Sequence, residues 1–131
     1  MRTLSIQSGK RVEMIDITSR DQEALDESRI KEGLCAVYVP HTTAGITVNE
    51  GADPSVCVDI MDYLSRLVPE RGNYRHFEGN SDAHIKTTIV GASETVLVEK
   101  GRLSLGRWQR IFFCEFDGPR SRNVWVMVLG G

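Results

Sequence analysis

"LCAVYVPHTTAGITVNE", residues 34–50, decides the fold. Its first half, Leu34 to Val39, is apolar at both alternating phases. That is the pattern of a strand covered on both faces and central in its sheet. Its second half alternates, with Ala44, Ile46 and Val48 on one side. The two halves are out of step, because His41 continues the phase of Cys35, Val37 and Val39. The phase breaks between His41 and Gly45, where a turn or bulge would re-aim the side chains. Two strands are expected, with a histidine at the break between them.

Working outward, residues 3–6 alternate and "QSGK" turns. In "RVEMIDIT" the apolar phase switches between Met14 and Ile15, so either a bulge sits there or both faces are partly covered. These two segments are expected to form a hairpin. "ITSRDQEALDESRIKEG", residues 17–33, predicts a surface helix capped by Thr18 or Ser19 and stopped by Gly33, with Ala24, Leu25 and Ile30 as anchors. In "DPSVCVDIMDYLSRLVP", residues 53–69, Asp53 is an N-cap and Pro54 a first helical residue. Cys57, Ile60, Met61, Leu64, Leu67 and Val68 make its apolar stripe. Residues 70–83 read as a long polar loop, of the kind that is usually functional or disordered. Residues 84–91 read as a short helix ended by Gly91, and the last third reads as strands. In "WQRIFFCEF", Trp108, Arg110, Phe112, Cys114 and Phe116 share one face, and Gln109, Ile111, Phe113 and Glu115 the other. Helices and strands do not alternate strictly. The expected class is α+β: one domain over residues 1–131, an antiparallel or mixed, sandwich-like sheet, and two or three helices packed on it.

The composition limits the function. The 131 residues are 40% hydrophobic and carry a net charge of −2, which gives a folded core and argues against a general nucleic-acid binder. No apolar run approaches the roughly 20 residues of a membrane span. The first 18 residues lack the apolar stretch of a signal peptide, so none is expected. Cys35, Cys57 and Cys114 are scattered and odd in number, which suits thiols in a reducing cytoplasm.

The chain has three histidines, His41, His76 and His84. None has the spacing of a helical ligand pair, yet three imidazoles that converge in space would suit a divalent ion, zinc above all. Glu50 is a candidate fourth ligand, a partner behind a ligand, or a general base. In "FDGPRSR", residues 116–122, turn signals present Arg120 and Arg122 together, a pair suited to phosphate or carboxylate unless it is only a solvated hairpin tip. "GRLSLGRWQR" adds Arg102, Arg107 and Arg110. Lys86, just after His84, is an anion-binding candidate or part of an ordinary helix face.

"HTTAGITVNEGADPSVCVDI", "YRHFEGNSDAHIKTTIVG" and "GRLSLGRWQRIFFCEFDGPRSR" together resemble the signature blocks of the YjbQ-like family, uncharacterised protein family 0047. The blocks are in order and cover essentially the whole chain. The resemblance implies a compact α+β homotrimer. Part of the family has a weak, secondary thiamine-phosphate synthase activity. His41, His76 and His84 fall on family histidine positions, Glu50 on its Asn-Glu motif and Gln109 on its Trp-Gln motif.

Two classes of function follow. One is an enzyme acting on a small anionic or phosphorylated metabolite. In it His41 and His84 are catalytic with Glu50 as base, and Lys86, Gln109, Arg120 and Arg122 hold substrate. A divalent metal sits on His41, His76 and His84, zinc for hydrolysis or magnesium for synthase chemistry. The other is a non-catalytic homotrimer that binds a metal or metabolite. Neither involves nucleic acid or membrane.

Overall fold

A computed structural model describes all 131 residues. The break in residues 34–50 is the point where the chain leaves one sheet and enters another. Strand β3 (Gly33–Tyr38) lies between two neighbours of a five-stranded sheet, while β4 (Ala44–Glu50) is the edge of a three-stranded one. The other strands are β1 (Arg2–Gln7), β2 (Glu13–Asp16), β5 (Ser93–Glu99), β6 (Arg102–Leu103), β7 (Gln109–Glu115) and β8 (Ser121–Gly130). The orders are β1-β8-β3-β5-β6 and β2-β7-β4, with every pairing antiparallel. The switch needs Gly45: a Cβ there would lie 2.6 Å from the Gly91 carbonyl oxygen, which accepts the Ile46 N–H.

The core fills the space between the sheets. Cys35, Val37 and Val39 face Ala44, Ile46, Ile111 and Phe113 across it, with Leu4, Ile6, Val96, Val98, Val124 and Val126 around them. Each such side chain contributes about 1.5–3 kcal/mol by leaving water. Helix α1 (Thr18–Ser28) adds Ala24 and Leu25 to this core. The far face of the three-stranded sheet is covered by α2 (Pro54–Leu67) and α3 (Ser81–Val90), with Met61, Leu64, Ala83 and Val90 against Cys114 and Phe116.

Several local expectations change. The first two strands do not pair: β1 joins β8 and β2 joins β7, in different sheets. The phase switch at Met14–Ile15 reflects cover on both faces, since Met14 packs toward the helices and Ile15 toward the main core. Helix α1 stops at Ser28 with Arg29 left-handed, at φ 61°, and Gly33 instead opens β3. Neither Thr18 nor Ser19 caps it. Ile17 holds that position, Asp16 accepts the Thr18 N–H, and the Thr18 hydroxyl accepts the Ile111 N–H. Asp53 does cap α2, accepting the Ser55 N–H at 3.0 Å, but the α2 stripe is only half-buried. Helix α3 begins three residues before His84.

The outer face of the five-stranded sheet carries exposed apolar rows. Leu129, Leu34 and Leu97 are aligned across β8, β3 and β5, and Met127 and the stacked Trp125–Tyr38 pair continue the patch. No helix is long and apolar enough to cross a membrane.

Candidate functional site

The sheet switch brings the three histidines together. His41 lies in the crossing from β3 to β4, His76 in the loop before α3, and His84 within α3. All three line one cleft of about 810 Å³, with the rings of His76 and His84 edge to face and their centroids 5.6 Å apart.

His41 is constrained most closely. Its Nε2 accepts the backbone N–H of Asn123 at 2.9 Å. A neutral imidazole has one lone-pair nitrogen, so the proton must be on Nδ1. Partial burial first, then the Arg122 charge, hold its pKa below the ordinary 6.5. His41 is therefore neutral at pH 7 and can act as an Nδ1–H donor.

In this arrangement a three-histidine zinc site is not preassembled. The one lone pair of His41 is occupied by Asn123, and no three His, Cys, Asp or Glu side chains are placed to share an ion. Zinc on all three rings requires His41 to release Asn123. A magnesium site needs free carboxylate oxygens. Both oxygens of Asp117, which also lines the cleft, are taken by Arg11, Asn80 and Arg120, which leaves Glu78 as the cleft carboxylate with free oxygens.

The predicted arginines reach the cleft with carboxylates attached. Arg122 is buried, donating through Nε and Nη2 to Glu115 and through Nη2 to the Thr43 hydroxyl. Burial would raise the Glu115 pKa. Hydrogen bonds from Arg122, Ser8 and the Asp117 N–H, with the Arg122 charge, overcome this and hold it below the carboxylate range. Arg122 thus supports the cleft wall through Nε and Nη2, and only its Nη1 is left for a ligand. Arg120 donates to Asp117 through Nε and Nη2, but its side chain is 50% exposed and Nη1 is free. Arg11 bridges Asp117 and Asp82, each at 3.0 Å.

Three predicted residues are not brought to the cleft. Lys86 is buried against Asp82, at 3.2 Å, on a different side of α3. Glu50 ends β4, a strand that carries it about 20 Å from the crossing. Its Oε2 accepts the N–H groups of Ala52 and Asp53, so it holds the turn into α2. Gln109 pairs with Glu50 in register and accepts the Gly106 N–H at 2.7 Å. Within one chain neither can serve the histidines.

Other site residues were not singled out. Asn80, Asp117, Glu78, Tyr38 and Trp125 all line the cleft, and Glu115 anchors it from behind. Glu115 had a signal: it is the one carboxylate on the β7 face that also carries Ile111 and Phe113. The cysteines behave as core thiols. Burial pushes Cys35 up to about 11 and Cys114 up to about 12, away from thiolate chemistry.

A family model described as UPF0047 protein YjbQ-like matches residues 2–131. The chain belongs to this family. The UPF0047 protein of Methanocaldococcus jannaschii is 54% identical over 95% of this chain and 91% of its own length. The YugU protein of Bacillus subtilis is 50% identical over 99% of both chains. Among solved structures, a YjbQ/UPF0047 protein of Clostridium acetobutylicum superposes with a TM-score of 0.97 at 46% identity, covering 98% of this chain and all of that one. A hypothetical protein of Aeropyrum pernix gives 0.95 at 40% identity, covering 99% and 98%. The fold of this YjbQ-like chain is therefore the family fold.

Proposed function

We propose that the histidine cleft binds a small phosphorylated metabolite and that its imidazoles handle protons there. The observation that supports this best is the convergence of His41, His76 and His84 with Arg120 in one cleft. The buried Oδ1 of Asn80 has no partner, so a ligand that also donates a hydrogen bond suits the cleft. The exposed Trp125 and Tyr38 at the rim suit a flat ring.

The thiamine-phosphate synthase activity implied by the family resemblance is compatible with this chemistry. A thiazole nitrogen attacks the pyrimidinylmethyl carbon, and the carbon–oxygen bond to diphosphate breaks with its electron pair. Arg120 and the His41 Nδ1–H are the donors available to the leaving oxygens. One half-exposed guanidinium is a modest field for diphosphate, which accords with a weak activity. The three free thiols accord with a reducing cytoplasm. Assembly as a homotrimer belongs to this reading, supported by the uncovered apolar rows around Leu34 and Trp125.

The test is thiamine-phosphate formation with magnesium, alongside elemental analysis of tag-free protein. Turnover should vanish in His84→Ala and Arg120→Gln and persist in Glu50→Gln, which lies outside the cleft. Turnover that survives both cleft variants refutes the assignment. Stoichiometric zinc lost in His41→Ala would show that His41 gives up Asn123 and would restore the metal site.

A further inference from the structure

The histidine cleft is not the most cationic hollow of the molecule. Its arginines are matched by Glu115 and Asp117. A second cleft, of about 600 Å³, lies at the other end of the three-stranded sheet and is lined by Arg102, Arg107 and Arg110 with Asp16 as its carboxylate. The ion pairs of the chain run through Arg2, Arg11, His76, Lys86, Arg120 and Arg122, so these three guanidiniums carry no carboxylate partner. Three positive groups against one negative leave the cleft with an excess of two.

Two of the arginines are also held in place. The Arg107 guanidinium lies over the Trp108 ring at 4.7 Å, and Arg110 donates to the Gln109 carbonyl at 2.8 Å. The turn between them is closed by Gln109, whose N–H and side chain both bond Gly106. Gln22 fastens the β5–β6 turn to α1 by accepting the Leu103 N–H and donating to the Gly101 carbonyl. The first turn of α1 lines the same cleft through Thr18 and Ser19.

We propose that this cleft is a second anion site, separate from the histidines, that takes a multiply charged phosphate such as a diphosphate. Three guanidiniums without counter-charges, two of them held by neighbouring groups, favour a polyanion, since each adds charge-assisted hydrogen bonds. Arg110 and Glu115 are five residues apart on β7, about 17 Å, so one small ligand does not touch both sites.

The two tryptophans allow the sites to be read separately. Trp108 sits beside Arg107, whereas Trp125 lines the histidine cleft. The experiment is titration of the full chain with inorganic pyrophosphate at low salt, followed by the two indole N–H signals in heteronuclear NMR and assigned with Trp108→Phe. The Trp108 signal should shift and saturate. Its Kd should weaken about tenfold in each of Arg102→Gln, Arg107→Gln and Arg110→Gln. It should tighten in Asp16→Asn, which can still accept the Thr18 N–H and which a merely unfolded variant could not mimic. It should be unmoved by Arg120→Gln, which reports on the histidine cleft. The proposal is overturned if Trp108 stays still while only Trp125 moves, or if the triple arginine variant keeps the native Kd.

Discussion

Replacing Asp21 with Asn should remove a pH-dependent instability built into α1. Asp21 is fully buried beneath the helix, and neither carboxyl oxygen has a hydrogen-bond partner. Burial, opposed by the Arg20 charge and reinforced by that of Asp16, pushes its pKa from the ordinary 3.8 up to about 7. The folded chain therefore holds a proton that the unfolded chain releases. Stability from this group is complete below 3.8, falls as pH rises, and is lost above about 7. At about 1.4 kcal/mol per tenfold change in ionisation, the full loss is about 4 kcal/mol, of which about 3 kcal/mol falls between pH 5 and pH 8. Asn cannot ionise, and any fixed cost of burying its amide is the same at every pH. The assay is urea unfolding of both proteins, followed by tryptophan fluorescence at one protein concentration. The stability of Asp21→Asn relative to the native chain should rise by that amount from pH 5 to pH 8. A difference that stays level across this range refutes the reasoning.

The buried Glu115–Arg122 pair makes a second prediction. Glu115→Gln leaves a buried guanidinium without its counter-charge and should cost about 3–5 kcal/mol in urea unfolding, whereas Glu115→Gln with Arg122→Met should cost less. Because the Glu115 pKa is held down, its contribution is complete above 4.5 and is lost as pH falls. A third concerns the apolar rows: Met127→Glu should shift the native chain to monomer in sedimentation, and an unchanged mass would remove the face from the assembly.

The fold was legible where the signal is local. Asp53-Pro54 started α2, alternation set the two faces of β7, and the broken phase at His41 located the change of sheet. The pairing of β1 with β8 and β2 with β7 was not legible, because those partners are about 100 residues away and a short strand with a turn beside it looks like half of a hairpin. Residues 17–33 read as a surface helix, and nothing near Asp21 in sequence tells that this side chain lies over the core. The histidines could be nominated by their chemistry. The carboxylates that occupy Arg120 and Arg122 could not, as that depends on how the β7–β8 turn folds back. The distance of Glu50 from the histidines within one chain was hidden for a related reason: it shares a strand with the histidine crossing, but a strand separates its ends.

Asp117 joins three parts of the chain that are remote in sequence: Arg11 after β1, Asn80 before α3 and Arg120 before β8. One carboxylate thus orders three segments in a single event, when the chain folds. A ligand entering the cleft meets donors whose conformational entropy has already been removed, so its affinity is not reduced by arranging them. The same economy makes one side chain a shared support: its loss would loosen all three segments at once, leaving Arg11 to Asp82 and the Arg120 backbone to Ser8.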